Sequence, residues 1–138
     1  MSSKQWTARV AAMAGLVLVL ASGASAEDDP ARQEHDALFR QIMKSPGNAE
    51  LNHRYAVMAT QQGDYEAAIG ALERVVFNDP DRSRVRMDLG VLYFRLGSYD
   101  LAKTYFESAL NSPDVTDDIE NRIPGYLDEI ARRQQTTI

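Results

Sequence analysis

Shifted by 34 residues, the chain meets itself: Ala56 falls on Gly90, Gly63 on Gly97, Tyr65 on Tyr99, Ala68 on Ala102, Leu72 on Phe106 and Val76 on Leu110. A fixed period of this length constrains the fold more than any other feature. Each copy reads as one helical hairpin, and a hairpin cannot bury its apolar face until a neighbour stacks against it. The stretch from Arg84 to Leu110 shows the unit best, as two helices folded back at Gly97. Val85, Leu89, Leu92 and Leu96 recur there at i, i+4, i+7 and i+11, the inner stripe of an amphipathic helix.

The punctuation agrees with the period. In the first copy, helix A is expected from Ala49 to Gln62 and helix B from Tyr65 to Asn78. Gly63 supplies the left-handed turn between them, and Asp64 accepts from the first free amides of helix B. Ala68, Leu72, Val75 and Val76 form its buried stripe. Asp79-Pro80 ends the copy, since proline cannot continue a helix, and Asp81 or Ser83 is placed to cap the next. In the second copy, Gly90 and Ala102 let the paired helices approach closely, and Tyr105, Phe106, Ala109 and Leu110 complete the packed face. Before the repeats, Ala31–Lys44 carries Leu38, Phe39, Ile42 and Met43 at helical spacing, the second helix of a degenerate repeat. Ser45-Pro46-Gly47-Asn48 breaks it, with Asn48 as an N-cap. After Pro113, Asp117 and Glu120 have capping-box spacing, and Ile119, Ile123, Leu127 and Ile130 continue an apolar face. Pro124 predicts a kink in that last helix or a start close to it. The expected organisation is an export segment over 1–26, a lead-in and half-repeat over 27–48, repeats over 49–82 and 83–116, and a capping helix and tail over 117–138.

Leu89-Gly90-x-x-Tyr93, Ala102-x-x-x-Phe106 and the terminal Asp79-Pro80 resemble tetratricopeptide repeats over Ala49 to about Thr116. The pattern departs at the early Trp position, which holds Asn52 and Arg86, and at Pro113, one residue ahead of the phase of Pro80. The resemblance implies an all-α fold: antiparallel hairpins stacked as a short right-handed solenoid with a terminal capping helix. Ala56, Gly63, Ala68, Pro80, Gly90, Gly97 and Ala102 are its structural positions. It also implies a binding role, in which helix A of each repeat lines a concave groove. Those positions are Glu50, His53, Val57, Thr60 and Gln61, then Arg84, Met87, Val91, Phe94 and Arg95. Spacing supports the second set independently, since Arg84, Met87, Val91 and Phe94 share one helical face off the Leu89/Leu96 stripe.

A groove floored by Met87 and Phe94 and flanked by Arg84 and Arg95 suits an extended peptide with acidic and apolar groups. The competing reading has Met87 and Phe94 packing on a neighbouring helix and the arginines paired with Asp81 or Asp88. One ligand mode of the family is not expected. Repeats that clamp a terminal carboxylate carry lysine and asparagine where this chain has His53 and Val57, and Asp88 would repel the ligand.

Lys4 and Arg9, the apolar run Val10–Leu20 and Ala24-Ser25-Ala26 before Glu27 have the form of a signal peptide cleaved after Ala26. The run is short of the ~20 apolar residues of a spanning anchor. Cleavage removes two basic residues and no acidic one, taking the formal charge from −5 to −7, a balance unsuited to a nucleic-acid partner. With 0 cysteines, disulfides, thiolate metal sites and a lipoprotein anchor are excluded. His35 and His53 are the only histidines, with no metal-ligand spacing and no phosphate loop. The expectation is therefore a non-catalytic periplasmic module without cofactor or membrane span, holding a protein or peptide partner of the envelope. The run Arg84 to Ala102, with Ile123-Pro124-Gly125-Tyr126-Leu127-x-x-Ile130-x-Arg132-Arg133-Gln134, also resembles the periplasmic repeat region of outer-membrane proteins of the surface lipoprotein assembly modifier type. There the repeats precede a β-barrel. The resemblance implies an accessory or shortened domain of such an export system, this chain stopping at Ile138, about where the barrel would begin.

Overall fold

Six helices follow one another without a strand among the described residues: α1 (Pro30–Lys44), α2 (Ala49–Gln61), α3 (Tyr65–Asn78), α4 (Ser83–Arg95), α5 (Tyr99–Leu110) and α6 (Asp117–Thr136). The computed structural model describes residues 29–136, so the expected export segment and its cleavage site lie outside them. α2 pairs with α3 and α4 with α5 as the two most intimate hairpins. α4 then stacks on α3 and α6 on α5, while α1 leans on α2.

The turns are copies of each other. Gly63 and Gly97 adopt φ of 79° and 75°, the left-handed region that a side chain disfavours. The Asp64 amide donates to Ala59 O at 2.9 Å and the Ser98 amide to Tyr93 O at 2.9 Å, which closes both helix ends in the same way. Asn48 and Asp64 cap α2 and α3 through their side chains, accepting from the Leu51 and Ala67 amides at 3.0 Å each.

α4 is capped differently from the sequence expectation. Neither Asp81 nor Ser83 serves. Arg82 takes the cap position with no side-chain bond, and the Ser83 amide donates 2.8 Å to Asp114 Oδ1 from the loop before α6. That bond holds the Asp114 carboxyl below its usual range. The cap is thus tertiary, 31 residues away in the chain.

The missing tryptophans are replaced by polar ties at one register position. Buried Asn52 donates to the Pro46 and Asn48 carbonyls at 2.8 and 2.9 Å and accepts from Arg74 on α3 at 2.9 Å. In the next repeat Arg86 donates to the Ser108 carbonyl and Ser112 Oγ on the α5 side, 3.2 Å each. The arginine has changed helices while the tie has kept its place.

The core divides into two clusters. Leu38, Ile42, Ala56, Ala68, Leu72, Val75, Val85, Leu89 and Leu92 join α1 to α4. Met87, Ala102, Phe106, Ala109, Ile119, Ile123 and Ile130 join α4 to α6. Full burial of a side chain such as Phe106 contributes about 1.5–3 kcal/mol relative to exposure. Gly90 is required beside it, because a Cβ there would meet the Phe106 ring at 2.6 Å.

Three apolar residues expected inside are outside. Phe39 and Met43 are exposed because α1 has only α2 to pack on, a contact that Leu38 and Ile42 fill. Leu96 is exposed because it falls past the last turn of α4. α6 also corrects the reading of its start. Asp117 is its first residue rather than a cap, and the helix runs through Pro124. That ring lies on the exposed side, while Ile119, Ile123 and Ile130 anchor the other face.

Candidate functional site

The helices stack unevenly, and the unevenness makes a cleft. α6 comes within 8 Å of α4 between Cα atoms; α2 and α4 nowhere do. Between α2 and α4 lies an opening of about 280 Å³ with Leu72 of α3 behind it. α2 supplies His53, Ala56, Val57, Thr60 and Gln61 to its walls, and α4 supplies Arg84, Asp88, Val91, Leu92 and Arg95.

The 34-residue register explains the opening. Thr60, Leu72 and Leu92 occupy the places held one repeat later by Phe94, Phe106 and Tyr126. In the later junction the Tyr126 ring stacks on Phe106 at 4.9 Å and meets Phe94 edge-on at 5.4 Å. Three aromatic rings close that junction, and a threonine and two leucines leave the earlier one open.

Of the residues expected to face a ligand, the cleft gathers His53, Val57, Thr60, Gln61, Arg84, Val91 and Arg95. Glu50 lies beyond it, in a separate depression with Asp79, Asp81 and Arg82. Met87 and Phe94 are elsewhere. Met87 is fully buried in the second core cluster. Phe94 sits between Tyr99 and Tyr126, with the Arg133 guanidinium 5.5 Å from its ring centre. Both were expected in the groove floor; α6 covers the side of α4 that carries them. Arg84, Asp88 and Arg95, four and seven residues apart, share the neighbouring arc that α6 leaves open.

Charges run along one edge. His53 Nε2 lies 3.9 Å from Asp88 Oδ2, Arg84 Nε 3.4 Å from Asp88 Oδ1, Arg84 Nη1 3.9 Å from Asp118 Oδ2, and Arg122 Nη1 3.3 Å from the same oxygen. The ladder spans α2, α4 and α6. Burial pushes the Asp88 carboxyl above its usual range, and Arg84 and His53 pull against that shift without cancelling it. Arg95 stands apart at the other end of the cleft. Its guanidinium lies 5.7 Å from the Tyr65 ring centre, and no carboxylate among the described residues is within ion-pair distance of it.

Asp88 lines the cleft where the sequence has it facing a ligand, and it pairs with Arg84 four residues before it. Sequence reasoning missed Leu72 and Leu92 because both read as core. No group of titratable side chains among the described residues is arranged to hold a metal ion, and no helix there is long and apolar enough to cross a membrane.

Residues 56–115 match the model described as tetratricopeptide repeat. Among solved structures the chain is similar to MamA, at 28% identity and a TM-score of 0.56, covering 59% of this chain and 48% of that one, so the match spans about half of that protein. It is similar to SycD, the type III secretion translocator chaperone of Yersinia enterocolitica, at 12% identity and a TM-score of 0.67, covering 76% of this chain and 74% of that one. It is also similar to PcrH, solved in complex with the chaperone binding region of PopD, at 18% identity and a TM-score of 0.65, covering 75% and 80%. The last two likenesses show the fold alone. No curated protein matches the chain significantly. The architecture is all-α and resembles a short tetratricopeptide solenoid closed by α6.

Proposed function

We propose that this chain is a periplasmic protein-interaction module whose α2/α4 cleft holds a segment of another envelope protein. The carrying observation is the open junction itself. At the equivalent places of the α4/α6 junction three rings fill the space, so the opening reflects the side chains chosen at Thr60, Leu72 and Leu92. Its lining joins an apolar floor to arginines, a composition typical of interface centres. A fold likeness to PcrH, a protein solved with a bound partner segment, supports the reading.

The periplasmic assignment rests on the signal-like start of the chain. N-terminal sequencing of the periplasmic fraction should begin at Glu27; recovery of the chain in the cytosol overturns this part. An outer-membrane barrel is the specific partner class suggested by the Ile123–Gln134 ending. The proposed work is binding without catalysis.

A photo-crosslinking residue placed at Val57, in the cleft, should capture a defined envelope protein that the same residue at Leu101, on the outer surface, does not. The capture should disappear in a Thr60→Phe/Leu92→Tyr protein that retains its helical content. Equal products from both positions would remove the cleft from the function.

A further inference from the structure

The filled junction shows what the open one lacks. In the second junction, Tyr126 places a ring between Phe94 and Phe106, and Arg133, 5.7 Å from the Tyr99 ring centre, donates 2.6 Å to Glu129. In the first junction, Arg95 stands over Tyr65, the register equivalent of Tyr99, at the same 5.7 Å, reaching it from the position that Glu129 rather than Arg133 holds one repeat later. Two parts are missing there. Thr60, Leu72 and Leu92 leave the place of the rings open, and no carboxylate among the described residues reaches Arg95. Arg84, the other cleft arginine, already faces Asp88 and Asp118.

We infer that the docked segment supplies both missing parts: a large apolar or aromatic side chain seated among Thr60, Leu72 and Leu92, and a nearby carboxylate directed at Arg95. The inference rests on the cleft being the docking site and adds the chemistry of the occupant. The opening of about 280 Å³ lies just below the range for small-molecule sites, roughly 300–1,000 Å³, and fits one or two side chains better than a cofactor. Polarity follows as well. Asp88 repels an anion at the ladder end of the cleft, so the carboxylate belongs at the Arg95 end.

The test uses the chain purified from the compartment in which it accumulates and three acetylated, amidated hexapeptides. These are Gly-Ser-Phe-Glu-Ser-Gly, its glutamine-for-glutamate form and its alanine-for-phenylalanine form. Amide shifts in an NMR titration report the site and the affinity. The parent peptide should move the signals of Val57, Thr60, Leu92 and Arg95. The glutamine form should bind up to about fivefold more weakly, the range for a solvent-exposed ion pair, and the alanine form should give no saturable shift. In an Arg95→Gln protein with an unchanged circular dichroism spectrum, the glutamate and glutamine peptides should bind equally. If both bind the wild type equally and still shift cleft residues, the occupant chemistry is wrong while the docking site stands. If no peptide moves a cleft signal, this inference falls, and the crosslinking experiment decides the docking site separately.

Discussion

The molecule contains the same junction twice and finishes it only once. Where α6 meets α4, three aromatic rings fill the space, Met87 is sealed inside, and an arginine over a tyrosine has its carboxylate. Where α4 faces α2, smaller side chains leave a cleft, His53 stands partly exposed in the place of Met87, and Arg95, over Tyr65, has no carboxylate among the described residues. Stacking geometry alone therefore leaves no cleft in this fold. A cleft arises where side chains stop short of filling the angle between successive A helices, so how tightly each junction closes is set by residue size.

Substitutions at both junctions test that contrast, from the largest effect to the smallest. Phe106→Ala should cost about 3–5 kcal/mol in urea denaturation, because the ring is fully buried and supports Tyr126. Leu72→Ala, one repeat earlier and beside an existing opening, should cost less; equal losses would argue against the two junctions differing in packing. Next, Gly90→Ala should destabilise by about 1–3 kcal/mol, since its Cβ meets Phe106 at 2.6 Å. The double variant Gly90→Ala/Phe106→Leu recreates the Ala56/Leu72 pair of the first repeat and should remove the steric part of that loss. A double variant no more stable than the sum of its parts would break the claim that the two positions trade size.

Tyr126→Leu installs the first junction's residue in the second and should cost about 1–2 kcal/mol through two lost ring contacts. The reverse exchange, Leu92→Tyr, should abolish capture at the cleft and, because Leu92 is also buried in the first cluster, should cost up to about 1–3 kcal/mol in urea denaturation. Finally, Asp114→Ala removes the distant cap of α4 and should cost about 1 kcal/mol. The sign of its pH dependence is set by the lowered Asp114 carboxyl. That contribution is present above the ordinary value of 3.8 and fades as the pH falls through the depressed one, so wild type and variant should converge in acid. Asp88 has the opposite sign: with its carboxyl raised by burial, its ionisation costs stability as the pH rises from 3.8 through the raised value and adds nothing further above it.

Much of this was legible in the chain. The period placed Gly63 and Gly97 at equivalent bends, and Asn48 and Asp64 cap where their spacing indicated, because turns and local caps depend on neighbours within a few residues. The cap of α4 was not legible, since Asp114 reaches Ser83 only through folding. The fate of Met87 and Phe94 was legible only as two competing readings, groove floor or helix packing, and the structure has them packed. Their helical face was correctly grouped by spacing, yet spacing gives no sign of which neighbouring helix will cover that face.

Sequence by itself determined the helices, their turns and the fact that they must stack, because 3.6-residue periodicity, glycine at positive φ and the repeat length are local properties. The tertiary structure decided which face of α4 is inside and which is open, and hence which residues can meet a partner. That decision depends on whether α6 and α2 approach α4 closely, and closeness is fixed by the summed volumes of Thr60, Leu72 and Leu92 against Phe94, Phe106 and Tyr126, residues brought together only when the array is assembled.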